Sequence, residues 1–179
     1  MNKILIHKSN ENTCITHFTM NASDSAIRQE ADKILEFGQC FRIADISELP
    51  EDRVFRDAWE IDDSDLNDGI AGEFTAESNL SILTKSKSLQ EEELNNKKQR
   101  LSDLPAVISS IESEIPEGGD EEKNTELEDL KVELENLPSI ISGLESSIEK
   151  ISEDILDTEA KINQLLEILP LDQRRSSND

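Results

Sequence analysis

Aromatic residues are scarce in this chain of 179 residues: five phenylalanines, one tryptophan and no tyrosine make up 3% of it. Aromatic side chains supply much of the buried area of a small core, so six of them cannot anchor a large one. Apolar residues of all kinds reach only 35%, against roughly 45–50% in ordinary globular domains. The shortage disfavours a compact enzyme of this size. Basic residues are few as well, 18 against 41 acidic, and the formal charge is −23. Such a chain repels phosphate backbones and anionic lipid, which argues against nucleic acid as a direct partner and against a membrane surface. No apolar run approaches the roughly 20 residues that span a bilayer. The opening Met1-Asn2-Lys3-Ile4-Leu5-Ile6-His7 is too short for the apolar core of a signal peptide. There are two cysteines, Cys14 and Cys40. With no signal sequence they read as reduced, small apolar residues and not as a disulfide framework.

What the chain does contain is divided near Gly69-Ile70-Ala71-Gly72. Every aromatic residue and both histidines lie at or before Phe74. Residues 1–74 carry 7 basic and 16 acidic groups, net −9; residues 75–179 carry 11 and 25, net −14. Composition therefore predicts an α+β head over residues 1–74 and a helical stalk over 75–179. Within the head, Lys3–His7 and Cys14–Phe18 are β-rich runs flanking the polar Ser9-Asn10-Glu11-Asn12, a hairpin pattern. Ser23 is placed to cap a helix of about fourteen residues, with apolar Ile27, Ala31, Ile34 and Leu35 at helical spacing and Gly38 as its stop. Phe41–Ile46 reads as a third strand and Leu49-Pro50-Glu51-Asp52 as a turn. Phe55, Trp59 and Ile61 are expected to complete the core.

The strongest pattern lies in the second half. Leu127, Leu130, Leu134, Leu137, Ile141, Leu144, Ile148, Ile151, Ile155, Thr158, Ile162, Leu165 and Leu169 follow one another at alternating steps of three and four. A 3.5-residue period keeps one stripe turned toward a partner helix, which defines a coiled coil. A weaker copy runs through Leu80, Leu83, Leu94, Leu101, Leu104, Ile108, Ile111 and Ile115, with polar Lys87, Gln90 and Lys97 in three of its slots. The turn-forming Pro116-Glu117-Gly118-Gly119-Asp120 separates the two. Helices over about 78–115 and 121–169, joined by a turn at 116–120 and followed by a disordered tail from about 171 to 179, would fold back as an antiparallel hairpin. Opposing them about the turn sets Leu101 against Leu134 and Leu94 against Ile141. The second helix outruns the first through Ile162, Leu165 and Leu169, and its stripe is only poorly matched by the lysine-bearing first helix. Both features point to contacts with other chains, most simply in a homo-oligomer.

Residues 101–115 and 134–148 are also similar to each other, identical at eight of fifteen positions at an offset of 33. Each copy carries a proline, Pro105 or Pro138, where a missing N–H and a clash with the preceding turn predict a bend or break. Asp103 and Asn136 would cap a restarted helix.

Motifs for chemistry are weak. Asp63-Ser-Asp65-Leu-Asn67-Asp68-Gly69 opens like a calcium loop, but its sixth and twelfth positions, Asp68 and Phe74, are not the required Gly and Glu. His7 and His17, which would face each other across the hairpin, and the two cysteines are not at paired metal-ligand spacings. No glycine-rich phosphate loop, nucleophile elbow or Cys–His signature is present. The expectation is a non-enzyme with no catalytic residues, metal or cofactor.

The segment Ile43-Ala-Asp-Ile-Ser-Glu-Leu-Pro50-Glu-Asp-Arg53-Val-Phe55-Arg56-Asp57-Ala58-Trp59-Glu60 resembles a group of small tailed-bacteriophage virion and tail-region proteins. These pair an opening hairpin with a segment reading Asp-Arg-x-Phe-Arg-Asn-Ala-Trp; Asp57 stands where Asn is usual. The resemblance covers about the first 70 residues and not the stalk. It implies a phage setting, assembly in the host cytoplasm and residence in the virion, with other virion proteins as partners, and it implies no activity. Phe55 and Trp59, one helical turn apart with Arg56 beside them, would anchor the head on a neighbour, as Trp and Arg commonly do at interfaces. The combined expectation is a structural phage component, such as a tail, fibre, whisker or connector protein. A non-virion assembly factor or chaperone for tail and fibre proteins is the alternative.

Overall fold

The computed structural model of the chain describes residues 2–9, 12–18, 22–49, 60–115, 120–170 and 173. The expected Pro50 turn, the anchor residues Phe55, Arg56 and Trp59, residues 116–119 of the hairpin turn and nearly all of the expected tail lie outside the described residues. The fold is α+β: a small antiparallel sheet with its helix, followed by two long helices packed as a hairpin. The chain divides into two compact units, one of Met1–Ser81 with Asp157–Asp179 and one of Ile82–Leu156. The head unit thus takes in the first turns of one long helix and the last turns of the other, where composition alone draws the line at residue 74.

The head is built on four strands in the order β2-β1-β3-β4: β1 (Lys3–Ser9), β2 (Asn12–His17), β3 (Cys40–Asp45) and β4 (Gly69–Ile70). All pairings are antiparallel, with Ile6 opposite Ile15 on one side and Arg42 on the other. Alternation along the strands sorts the side chains into two layers. Leu5 and Phe41 pack on one face with Ile27 and Ala31 of helix α1 (Asp24–Ile34). Ile4, Ile6 and Ala44 pack on the other with Leu66 and the half-buried Ile46, Leu49 and Ile61. A sheet covered on both faces explains why β1 is three consecutive apolar residues, Ile4-Leu5-Ile6, and not an alternating strand.

Helix α1 begins as expected, with the Ser23 hydroxyl accepting from the Ala26 amide at 3.2 Å. It ends earlier, at Ile34, because Leu35 turns extended. Gly38 serves in the following turn with φ +84°, and not as the helix stop. Gly69-Ile70, which reads in the sequence only as a boundary, is the fourth strand. Gly69 is required there, since an added Cβ would sit 2.6 Å from the Phe41 ring.

The long helices are α2 (Glu73–Glu114) and α3 (Glu121–Ile168). Helix α2 starts five residues before the expected Ser78, and its cap comes from far away in sequence. The Asp32 carboxylate accepts from the amides of Gly72 at 2.6 Å and Thr75 at 2.7 Å. That satisfies two of the amides left open at a helix start and places a negative charge at the positive end of the helix dipole. Gly72 is held at φ +97° against the Phe37 ring, a conformation only glycine adopts without strain. Helix α3 has a local cap, Asp120, whose Oδ1 accepts from Glu122 and Lys123. Pro105 and Pro138 do not break their helices. Both rings are on the exposed side, and each costs its helix one backbone donor.

Replacing Asp32 by Ala leaves the start of α2 uncapped and should destabilise the chain by about 1–2 kcal/mol. Urea unfolding followed by far-UV circular dichroism measures this, and Asp32→Asn should recover part of the loss.

Candidate functional site

The protein presents two candidate surfaces, the aliphatic seam of the hairpin and a cleft on the head. Every one of the thirteen seam positions from Leu127 to Leu169 is buried or half-buried, and none is exposed. The large aliphatics that are exposed on this helix, Val132, Ile140, Leu156 and Ile168, all lie off the stripe. The 3.5-residue period therefore identifies the inward face. Within the unit of Ile82–Leu156, Leu127, Leu137 and Ile141 of α3 and Leu104 and Ile108 of α2 are buried, while Leu130, Leu134, Leu144, Ile148, Ile151 and Ile155 are half-covered.

Cross-hairpin ion pairs set the register. Arg100 holds Glu133 through two bonds, Nε to Oε1 at 2.9 Å and Nη2 to Oε2 at 2.8 Å. Lys98 meets Glu145 at 2.7 Å, Lys131 meets Glu112 at 3.1 Å and Lys123 meets Glu114 at 3.0 Å. These pairs agree with opposing Leu101 to Leu134, where the two similar segments begin and from which they run in opposite directions along the hairpin. Leu104 and Leu137, each just before its proline, are 0% and 2% exposed. The Arg100 hydrogen bond holds the Glu133 carboxyl below its ordinary range, aided by the charges of Arg100 and Lys97. The same bond raises the Arg100 guanidinium, and the Glu114 bond raises the Lys123 ammonium.

The three polar slots of α2 are half-buried as the heptad requires. The stem of a lysine can cover apolar surface while its ammonium reaches out, and Lys87 lies 3.9 Å from Glu91. Gln90 is different: its Oε1 is buried without a hydrogen-bond partner.

At the other end of α3, the seam runs into the head unit. Leu165 and Leu169 are 0% and 7% exposed and pack with Ile70 and the half-buried Cys40; Thr158 and Ile162 are half-covered. The overhang of the second helix, expected to meet other chains, is occupied in part by the chain's own fourth strand. Sequence periodicity finds the seam but cannot name its cover, because β4 is two residues long and announces no strand pattern.

The cleft on the head has a volume of about 650 Å³. Cys40, Leu66 and Leu169 form its apolar lining, and Lys8, Asp63 and Asn67 are among its polar groups. Lys8 and Asp63 are paired at 2.6 Å. Asp68 caps β3 by accepting from the Ile43 amide at 2.8 Å. Two carboxylates of the calcium-like segment thus already have structural partners. Strand register puts His7 and His17 on opposite faces of the sheet, since His7 faces Cys14 and His17 faces Ile4; the expectation that they face each other is incorrect. The same alternation separates Cys14 from Cys40, with β1 between their strands, and both thiols are free. Among the described residues no cluster of three or more metal-ligating side chains occurs, and no helix is long and apolar enough to cross a membrane.

No family model matches this chain, and neither curated proteins nor solved structures provide a match.

Two measurements address the seam. Gln90→Leu replaces an unpaired buried oxygen by an aliphatic side chain and should stabilise the hairpin by about 1–2 kcal/mol in urea unfolding. The depressed Glu133 group stabilises the fold fully above the ordinary carboxylate range and loses that contribution as pH falls through its lowered value. The Tm difference between the wild type and Glu133→Gln should therefore be present at pH 7 and shrink toward zero in strong acid, as read by thermal melts across that range.

Proposed function

We propose that this protein is a structural component of a tailed-phage particle, in which the α+β head attaches to a neighbouring virion protein and the helical hairpin serves as a brace or spacer. The observation that carries the reading is how the chain uses its residues. Most of its large aliphatic residues beyond position 75 serve to close helices of 42 and 48 residues on one another. At about 1.5 Å per residue these run for roughly 60–70 Å. Repeated side-chain packing over such lengths gives reach and stiffness with few residues, and it forms little of the enclosed surface that catalysis needs. The resemblance of residues 43–60 to small phage proteins supports the same setting, with Phe55, Arg56 and Trp59 as the anchor. The half-covered seam positions offer a second hairpin or a partner helix a place to lie, which supports self-association through the stalk. The acidic surface favours a basic neighbour through charge complementarity.

Mass spectrometry of purified particles of the phage that encodes the chain tests this. The expected result is the protein present in fixed stoichiometry with the major tail or head proteins. Its absence from particles, together with its recovery on a tail or fibre protein in infected cells, would establish the assembly-factor reading instead.

A further inference from the structure

The sheet has two outer edges, and the chain treats them differently. Along β3 at least four outward backbone groups have partners. The Gln39 carbonyl accepts from Ala71 and the Phe41 carbonyl from Asp68, both at 3.0 Å. The Ile43 amide donates to the Asp68 carboxylate and the Asp45 amide to the Glu48 carboxylate at 2.9 Å. A two-residue strand and two acidic side chains thus occupy much of that edge.

Among the described residues nothing pairs with the outer edge of β2. The bond from the Phe18 amide to the Lys3 carbonyl sets the alternation of the antiparallel ladder: residues 12, 14, 16 and 18 turn their amides and carbonyls toward β1. Thr13, Ile15 and His17 turn theirs away from the sheet, and among the described residues nothing bonds to them. Proteins blunt such edges with lysine, proline, a bulge or a covering segment. Asn12-Thr-Cys-Ile-Thr-His17 carries no charge at neutral pH and no proline. It begins the longest uncharged run of the chain, twelve residues from Asn12 to Ser23, in a protein one-third of whose residues are charged.

We propose that this edge pairs with the β2 strand of a second copy, antiparallel about Ile15, joining two four-stranded sheets into one of eight. The strand is self-complementary in that register. Ile15 meets Ile15 of the second copy and Thr13 meets His17, so all three outward residues exchange both backbone bonds with their counterparts. The opposed side chains are a β-branched pair and two hydroxyl–imidazole pairs, all on the sheet face that carries Ile4 and Ile6. The charge distribution favours a second copy at this place. Two molecules of charge −23 repel wherever acidic surfaces meet, and the uncharged strand is where backbone can approach backbone without that opposition. The contact is isologous and closes at two copies.

Sedimentation velocity on the purified full chain, over a hundredfold range of concentration, tests the pairing. A monomer–dimer equilibrium is expected. Ile15→Pro removes an amide that faces away from β1, a change that edge strands tolerate. It deletes two bonds per dimer and should weaken dimerisation at least about tenfold, with the far-UV spectrum unchanged. A monomer at every concentration overturns the proposal. So does a dimer of undiminished strength in the folded variant, which would place self-association on the helices. Should Ile15→Pro unfold the head, amide exchange on the unaltered chain decides. Protection of the Thr13, Ile15 and His17 amides that grows with concentration supports the pairing, and concentration-independent exchange at those amides overturns it.

Discussion

The aliphatic seam of the hairpin must be kept from water, and much else in the structure follows from that requirement. With six aromatics, the chain cannot stabilise a hundred helical residues by docking them on a large core. It places Leu and Ile on one stripe of α3 and covers them with α2. The cover is imperfect in the middle of α2, where Lys87, Gln90 and Lys97 occupy seam slots. Lysine is tolerated there because its stem is apolar and its charge reaches the rim; glutamine has no such route, and its carbonyl oxygen stays unpaired.

Charge is distributed to serve the same closure. Basic residues are in short supply, and four of them, Lys98, Arg100, Lys123 and Lys131, link one helix of the hairpin to the other. Each pair is exposed and contributes modestly. Their greater effect is on specificity: in a chain this acidic, a shifted register would bring carboxylates together along the rim. The two similar segments, 101–115 and 134–148, lie within this paired region.

The head is small but covered on both faces, by α1 on one and by Ile46, Leu49, Ile61 and Leu66 on the other. It also holds two helix ends. Asp32 caps the start of α2, and Leu165 and Leu169 of α3 pack on Ile70. The same short stretch, Asp68 to Gly72, closes the β3 edge, supplies β4 and leads into α2. Among the described residues no comparable segment closes β2, so the sheet is largely partnered along β3 and receptive along β2.

The two helices, their hairpin arrangement, the inward face of α3 and the polar slots of α2 were legible in the amino-acid order. Each depends on residues three or four apart, and helical geometry converts that spacing directly into a shared face. Strands β1 to β3 and the Ser23 cap were legible for the same local reason. The start of α2, strand β4, the unbroken passage through Pro105 and Pro138, and the opposite faces of His7 and His17 came only with the tertiary structure. The start of α2 and strand β4 depend on partners far apart in the chain: Asp32 with Gly72, Cys40 with Ile70, Leu169 with Ile70. Local spacing carries no record of such pairs; they exist only once the sheet and the hairpin have brought them together.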